Sequence, residues 1–236
     1  MPTSTGSSGE MTKLKPLRFA VSGHAEVSAL LNRPANARAI LALAHGAGAG
    51  MDHPFLESLS TQLANVGLAT LRYQFPYMEA RRRMPDPPPV LTATVAAAVR
   101  TALEIAAGTP VLAGGKSMGG RMTSQAAAEG QLEGVAGLVF FGFPLHPPNR
   151  PGTKRADHLA KVKLPMLFLQ GTKDAFADLK LLRPILANLG PLATLHIIEE
   201  ADHSFHVPKK SGKTDGEILA ELAEVNSSWA ANLNER

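Results

Sequence analysis

The sequence predicts a three-layer α/β/α sandwich built around a mostly parallel sheet of about seven to eight strands. Short apolar runs recur along the chain, and longer stretches with the apolar spacing of helices separate them. Strands that alternate with helices favour parallel pairing, because each crossover helix covers one face of the sheet. No internal repeat or shift in composition divides the chain. We therefore expect one domain over residues 15–236, preceded by a flexible tail at residues 1–14.

Each element follows from its local pattern. The first two strands form a predicted hairpin around Gly23, and Gly67 is expected to end the first helix. The predicted strands are residues 17–22, 27–32, 39–44, 69–73, 111–114, 137–141, 166–170 and 193–198. The predicted helices are residues 55–66, 90–107, 119–129, 179–189 and 217–233.

Two proline-rich segments, residues 74–89 and 142–163, interrupt the alternation. Both follow predicted strands, so both are expected above the carboxyl ends of the sheet. Open α/β sheets bind their ligands at that edge. Long irregular segments in this position are more often functional than not.

A G-x-S-x-G pattern stands at Gly115 to Gly119, between a predicted strand and a predicted helix. A serine on such a sharp turn is exposed to substrate, and glycines two residues to either side avoid collisions in the turn. These features indicate a nucleophile at Ser117. The alternative is a phosphate-binding P-loop, but that pattern requires a glycine at position 110, where Pro110 stands.

A serine nucleophile needs a base, and the base needs an acid to orient it. Asp174 follows the predicted strand at residues 166–170, and His203 follows the strand at residues 193–198. Ser117, Asp174 and His203 thus occur in the chain order of the α/β-hydrolase triad. Because each follows its own strand, the three should converge on one edge of the sheet. The alternatives are His206 as the base and Asp178 as the acid.

The glycine-rich residues 45–50 follow an inner strand, and their small side chains let backbone N–H groups approach a substrate oxygen. We expect an oxyanion hole formed by the N–H groups of Met118 and Ala47, with Gly48 as the alternative to Ala47. His45 is expected to fix this loop rather than to act as a base. His53 is either a pocket residue or a surface histidine before the helix.

The stretches LAHGAGAGMDHPF, LRYQFPYME, GGKSMGGRM, LQGTKD and ADHSF resemble the α/β-hydrolase superfamily over residues 17–233. The similarity is to a small branch without a separate cap domain. This branch is similar to dienelactone hydrolases and to bacterial relatives of the testis-expressed and chromatin-complex α/β-hydrolase proteins. The resemblance implies a triad of Ser117, Asp174 and His203 and an oxyanion loop from His45 to Gly48. Dienelactone hydrolases proper use a cysteine, which this chain lacks.

These observations predict a serine hydrolase that cleaves an ester or thioester of a small acyl substrate through an acyl-enzyme. Two alternatives remain: a non-catalytic binding or scaffold protein on the same fold, and an acyltransferase that uses the same triad. No metal or organic cofactor is expected. Five residues are expected to form an apolar wall of the pocket: Tyr73, Phe75, Tyr77, Met118 and Phe143.

Composition bears on the cellular compartment of the protein and on its partners. The absence of cysteine fits a reducing, cytoplasmic compartment. A net charge of +4, without interleaved basic and aromatic residues, argues against nucleic acid as a partner. No apolar run is expected to reach the roughly 18 residues of a membrane-spanning helix. The sequence does not indicate an oligomeric state.

Basic residues near the predicted nucleophile raise a question of substrate charge. Arg121 lies in the first turn of the helix after Ser117, and Arg81, Arg82 and Arg83 lie in a loop expected at the same edge. One interpretation is a solvated rim, or pairing of Arg121 with an acid. The other is that these arginines attract a substrate carrying a carboxylate or phosphate.

Overall fold

Eight strands form one sheet in the order β1-β2-β4-β3-β5-β6-β7-β8 in a computed structural model that describes residues 14–233. β1 and β2 pair as an antiparallel hairpin, β2 pairs antiparallel with β4, and all remaining neighbours are parallel. The strands are β1 (Lys15–Phe19), β2 (Val27–Asn32), β3 (Ala39–Ala44), β4 (Leu68–Tyr73), β5 (Val111–Lys116), β6 (Val135–Phe141), β7 (Met166–Gly171) and β8 (Ala193–Ile198).

Helices cover both faces of this sheet and complete three layers. α1 and α6 pack together on one face, while α3, α4 and α5 lie on the other. The helices are α1 (Pro54–Asn65), α2 (Pro76–Glu79), α3 (Pro88–Ala106), α4 (Met118–Ala128), α5 (Leu179–Asn188) and α6 (Asp215–Leu233), with 3₁₀ helices at Lys154–Lys161, Gly190–Leu192 and Lys209–Ser211. The predicted fold class is therefore confirmed.

The inner strands explain why the sequence folds this way. All six residues of β3, AILALA, are buried, and so are all six of β4 and of β7. Continuous burial is typical of parallel strands that are covered on both faces. The edge strand β1 instead exposes Lys15 and Pro16, which discourage pairing with another chain.

Several predicted boundaries differ from the structure. β1 ends at Phe19 rather than at residue 22. The two segments predicted to be irregular contain short helices, α2 in the first and the 3₁₀ helix Lys154–Lys161 in the second. Residues 1–13 of the predicted tail lie outside the described residues, and the single-domain boundary at residue 15 stays a prediction.

One described helix, α3, is long and apolar enough to cross a membrane by length and composition alone. Because three threonines and two charged residues interrupt it, α3 is not a continuous apolar run, and the expected absence of a membrane span stays a prediction. α3 contains only two charged residues, Arg100 and Glu104. Its buried face packs against β3, β4 and β5, which explains the apolar composition by its place in the core.

Candidate active site

Ser117 occupies the turn between β5 and α4 with φ +51° and ψ −116°. A positive φ is uncommon and strained for a residue with a Cβ atom, and strained residues are enriched at active sites. The backbone conformation lifts the serine to the carboxyl edge of the sheet, at the N-terminus of α4. This is the strand–turn–helix context that the G-x-S-x-G pattern predicts.

The two motif glycines leave room for this turn. A Cβ atom at Gly115 would lie 2.5 Å from the carbonyl oxygen of Ala44, and one at Gly119 would lie 2.6 Å from that of His45. Both neighbours are backbone atoms, which cannot move aside as a flexible side chain can. Close packing of β5 and α4 against the end of β3 therefore requires glycine at both positions.

The structure brings Ser117, His203 and Asp174 into one hydrogen-bonded chain. Ser117 Oγ lies 2.9 Å from His203 Nε2, and His203 Nδ1 lies 2.8 Å from Asp174 Oδ2. An ionised carboxylate only accepts hydrogen bonds, so Nδ1 carries a proton and donates to Asp174. In the neutral ring Nε2 then accepts from the Ser117 hydroxyl. The arrangement can transfer the serine proton to the histidine.

Asp174 is fixed by more than the histidine. Its side chain is fully buried, Oδ1 accepts from the backbone N–H of Phe176 at 2.7 Å, and Oδ2 accepts from Gln170 Nε2 at 2.5 Å. The Phe176 ring lies against the His203 ring with centroids 4.3 Å apart. Neither Gln170 nor Phe176 was predicted, although each lies within four residues of Asp174 in the sequence.

The alternative base and acid lie elsewhere. His206 is exposed and bonds Asp215 at the start of α6, with Nδ1 2.8 Å from Oδ2. That contact raises the pKa of His206. Asp178 caps α5 by accepting from the N–H of Lys180 at 2.8 Å. Both residues thus have structural partners away from Ser117.

The loop after β3 presents free backbone donors. Gly48 N–H donates to the Tyr77 hydroxyl at 2.9 Å, which disfavours Gly48 as an oxyanion donor. In the described part of the chain, the N–H groups of Ala47 and Met118 have no hydrogen-bond acceptor. Their predicted role in an oxyanion hole stays a prediction.

His45 fixes this loop from inside the core. Nδ1 donates to the carbonyl of Gly46 at 2.7 Å, and Nε2 accepts from the N–H of Phe75 at 3.2 Å. Burial lowers the pKa of His45 from 6.5 to about 4, so the ring is neutral near pH 7. With both ring nitrogens engaged in backbone hydrogen bonds, His45 has a structural environment.

A cavity of about 320 Å³ opens beside Ser117 and His203. Its apolar wall consists of Phe55, Leu56 and Phe176, and His53 also lines it while capping α1. The predicted wall is wrong. Tyr73, Phe75, Tyr77 and Phe143 are almost completely buried in the core, and Met118 packs against the same core.

Lys116, the residue before Ser117, is the only lysine that lines this cavity among residues 14–233. Its ammonium lies 5.7 Å from the ring centre of Phe205 and 6.0 Å from that of Phe55. Burial lowers the pKa of Lys116 from 10.5 to about 8, although Asp174 and Asp202 partly oppose the shift. The site thus places an ammonium group that loses its proton more readily than usual beside the nucleophile.

Gly142, at the end of β6, makes this arrangement possible. A Cβ atom there would lie 3.2 Å from Lys116 Nζ and 3.4 Å from both Asp174 Oδ2 and His203 Nδ1. Its φ of +69° also favours glycine. Sequence reasoning missed this residue because its neighbours come from three other strand ends.

The arginines expected around the nucleophile do not line its cavity. Arg82 forms an ion pair with Asp86 at 2.6 Å, and Arg81 and Arg83 are exposed. Arg121 faces a different cavity on the flank of α4. These residues therefore do not contact a group bound in the Ser117 cavity, and the hypothesis that they attract a charged substrate stays a prediction.

A second serine–histidine contact, between Ser124 Oγ and His158 Nε2 at 2.7 Å, lies on the flank of α4. Ser124 is fully buried, and its hydroxyl donates to the carbonyl of Arg121 at 2.9 Å. Burial and the nearby Arg121 lower the pKa of His158 to about 4. Because Ser124 is buried, its hydroxyl is not accessible to a substrate. Among the described residues no carboxylate forms a hydrogen bond with His158, so the pair also has no acid that orients the histidine.

The strand order, the turn at Ser117 and the placement of acid and histidine after later strands define an α/β-hydrolase. The chain belongs to the alpha/beta hydrolase domain family, whose sequence profile matches residues 37–231.

Solved structures share this fold across nearly the whole chain. A dienelactone hydrolase from Anabaena variabilis ATCC 29413 matches with a TM-score of 0.71 at 24% identity, over 94% of this chain and 99% of that one. A serine hydrolase without a lid from Xanthomonas campestris matches at 0.73 and 17%, over 92% and 95%. The esterase domain of a Rhodothermus marinus protein matches at 0.69 and 18%, over 92% and 98%. These similarities show that the chain shares the overall fold of these proteins.

Proposed function

We propose that the protein is a serine hydrolase that cleaves a carboxylic ester or thioester through an acyl-enzyme. The observation that carries the proposal is the unbroken hydrogen-bonded chain from Ser117 through His203 to Asp174. The strained turn at Ser117 supports it as well, because strain of about 1–3 kcal/mol persists mainly where function requires it. The esterase and hydrolase names of the structural neighbours agree with this chemistry.

In the first step Ser117 Oγ attacks the carbonyl carbon of the bound ester, and His203 Nε2 takes the hydroxyl proton. Asp174 stays ionised, holds Nδ1–H and stabilises the imidazolium that forms. Collapse of the tetrahedral intermediate breaks the bond to the leaving group. The proton on Nε2 passes to that alcohol or thiol, and the acyl group remains on Ser117.

In the second step water attacks the acyl-enzyme and gives up a proton to His203 Nε2. Collapse of the second tetrahedral intermediate releases the carboxylic acid and returns the proton to Ser117. In both steps the negative oxygen faces the N–H groups of Ala47 and Met118. The N-terminus of α4 adds a favourable positive end of its dipole.

The cavity suggests the size and polarity of the acyl group. Its volume of about 320 Å³ is at the small end of ligand pockets, and Phe55, Leu56 and Phe176 make one side apolar. A short or medium acyl chain fits this wall. We therefore expect activity on short-chain neutral esters.

Kinetics of two serine variants test the proposal. Ser117→Ala should lower kcat on a short p-nitrophenyl ester by about 10⁴–10⁶-fold, because triad residues act as a unit. Ser204 lines the same cavity and is exposed, so Ser204→Ala is the matched control and should retain most of the activity. Circular dichroism checks that both variants fold. A folded Ser117→Ala protein with most of its esterase activity would contradict the proposal.

A further inference from the structure

A second cavity, of about 490 Å³, lies between α4 and the segment that follows β6. Four cationic side chains line it. Arg121 and Arg155 are half-buried, and Arg150 and Lys154 are exposed at the rim. No aspartate or glutamate of the described residues lines the cavity. This cavity is separate from the one that holds Ser117, since the two share no lining residue.

The positive charge of this second cavity is not balanced within the described chain. None of the four cations forms an ion pair with a carboxylate of residues 14–233. Burial and the nearby Arg155 lower the pKa of Arg121. Two partly desolvated guanidinium groups that repel each other are unfavourable unless an anion neutralises them.

Two further polar side chains, His146 and Gln125, line the cavity. His146 is engaged on both sides: Nδ1 donates to the Pro147 carbonyl at 2.9 Å, and Nε2 accepts from the N–H of Asp178 at 2.9 Å. It therefore forms a fixed wall. Gln125 has a buried side-chain oxygen that has no hydrogen-bond partner among residues 14–233, and this oxygen can accept a hydrogen bond from a ligand hydroxyl.

We propose that this cavity binds a phosphate group. Arginine forks match the geometry of phosphate oxygens, and a phosphate carries about −1.5 to −2 charges at pH 7, which neutralises more of the four cations than one carboxylate does. The hydroxyl of a singly protonated phosphate can donate to Gln125. The unpaired cations and the unpaired oxygen thus find partners in one ligand.

The phosphate has two conceivable sources. Arg121 is four residues beyond Ser117 on the same helix, which is about 6 Å along its axis. A phosphate on an extended substrate could reach the cavity while its acyl group lies at Ser117. A free phosphorylated ligand could also bind there independently. Only the first source depends on the proposed function.

Calorimetric titration with inorganic phosphate tests the binding itself, with chloride at equal ionic strength as the reference. Arg121→Gln and Arg155→Gln should each weaken binding about tenfold or more, because each removes charge-assisted hydrogen bonds. Arg100 is exposed on α3, away from the cavity, so Arg100→Gln removes the same charge as a matched control. It should bind as the unaltered protein does.

Thermal unfolding shows whether these variants still fold and whether phosphate stabilises them. Phosphate should raise the Tm of the unaltered protein and of Arg100→Gln, and it should raise that of the two cavity variants much less. Absence of binding at millimolar phosphate, or equal binding by all four proteins, would overturn the proposal.

Kinetics on a matched pair of esters, one with a phosphate group and one neutral, separate the two sources. A lower KM for the phosphorylated ester that is lost in Arg121→Gln indicates that the substrate itself carries the phosphate. Phosphate binding without any preference for the phosphorylated ester indicates a separate ligand. Both outcomes support the site. The calorimetric result stands even if the protein has no esterase activity, so failure of the proposed function and failure of this site are distinguishable.

Discussion

Two charged residues near Ser117, Asp174 and Lys116, differ in how well their surroundings stabilise the charge. Asp174 is buried yet stays satisfied, because three donors surround its carboxylate. The charge of Lys116 is less well stabilised. Its ammonium lies near two aromatic rings, and no carboxylate of residues 14–233 forms an ion pair with it. A cation kept at such a position lowers the stability of the fold while it remains charged.

This difference predicts that Lys116→Met, which keeps the apolar stem of the side chain, raises the thermal stability of the protein by an amount that depends on pH. Below its lowered pKa of about 8 the folded protein holds the charge at a cost. Between about pH 8 and the ordinary value of 10.5, the folded protein releases the proton while the unfolded chain keeps it, so the cost falls as pH rises. Lys116→Met should therefore raise the Tm at pH 7 and raise it less at pH 10.

Lys180→Met is the matched control, because Lys180 is exposed on α5 and loses the same charge. Calorimetric unfolding of the three proteins at both pH values measures the difference. A Tm gain that is equal at pH 7 and pH 10 would show that the charge of Lys116 carries no such cost.

At the scale of elements, the turn from β5 into α4 depends on the end of β3. Gly119 and Gly216 hold equivalent positions, each the second residue of its helix. A Cβ atom at Gly119 would collide with the backbone of β3 and its loop, whereas the nearest atom to one at Gly216 is Thr214 Oγ1, at 3.9 Å. The same substitution should therefore have opposite consequences.

Gly119→Ala is expected to lower the free energy of unfolding by more than about 2 kcal/mol or to prevent soluble expression, because backbone atoms must shift. Gly216→Ala should be neutral or slightly stabilising, since alanine favours the helix. Denaturant unfolding of both proteins provides the comparison. A Gly119→Ala protein as stable as Gly216→Ala would mean that the turn tolerates a side chain.

Motif residues were predictable because their positions follow from chain order. Ser117, Asp174 and His203 lie in the loops that follow β5, β7 and β8, and parallel strands end at one edge. The pocket wall was not predictable in the same way. Tyr73, Phe75 and Tyr77 lie near the end of β4, but sequence spacing does not reveal that their rings point into the core.

At the scale of the whole molecule, the sheet separates two hydrophobic cores, one on each of its faces. α6 joins the first half of the chain to the second, because it packs against α1 and also against β6 and β7. Trp229, the only tryptophan of the chain, lies on α6 over Gly137 of β6. Its fluorescence therefore reports whether α6 is docked.

We expect cooperative unfolding of a single domain. Urea transitions followed by Trp229 fluorescence and by far-ultraviolet circular dichroism should coincide, as they do when no intermediate is populated. If the fluorescence changed at clearly lower urea than the helical signal, α6 would detach first and the expectation of cooperative unfolding would be wrong.

The central claim is that Ser117 is a nucleophile activated by His203. Reaction with a fluorophosphonate probe, followed by intact mass and peptide mapping, tests it most directly. We predict one adduct per chain, located on Ser117, with loss of labelling in Ser117→Ala and strong loss in His203→Ala. An adduct on another serine, or no adduct on a folded protein that hydrolyses esters, would contradict the claim.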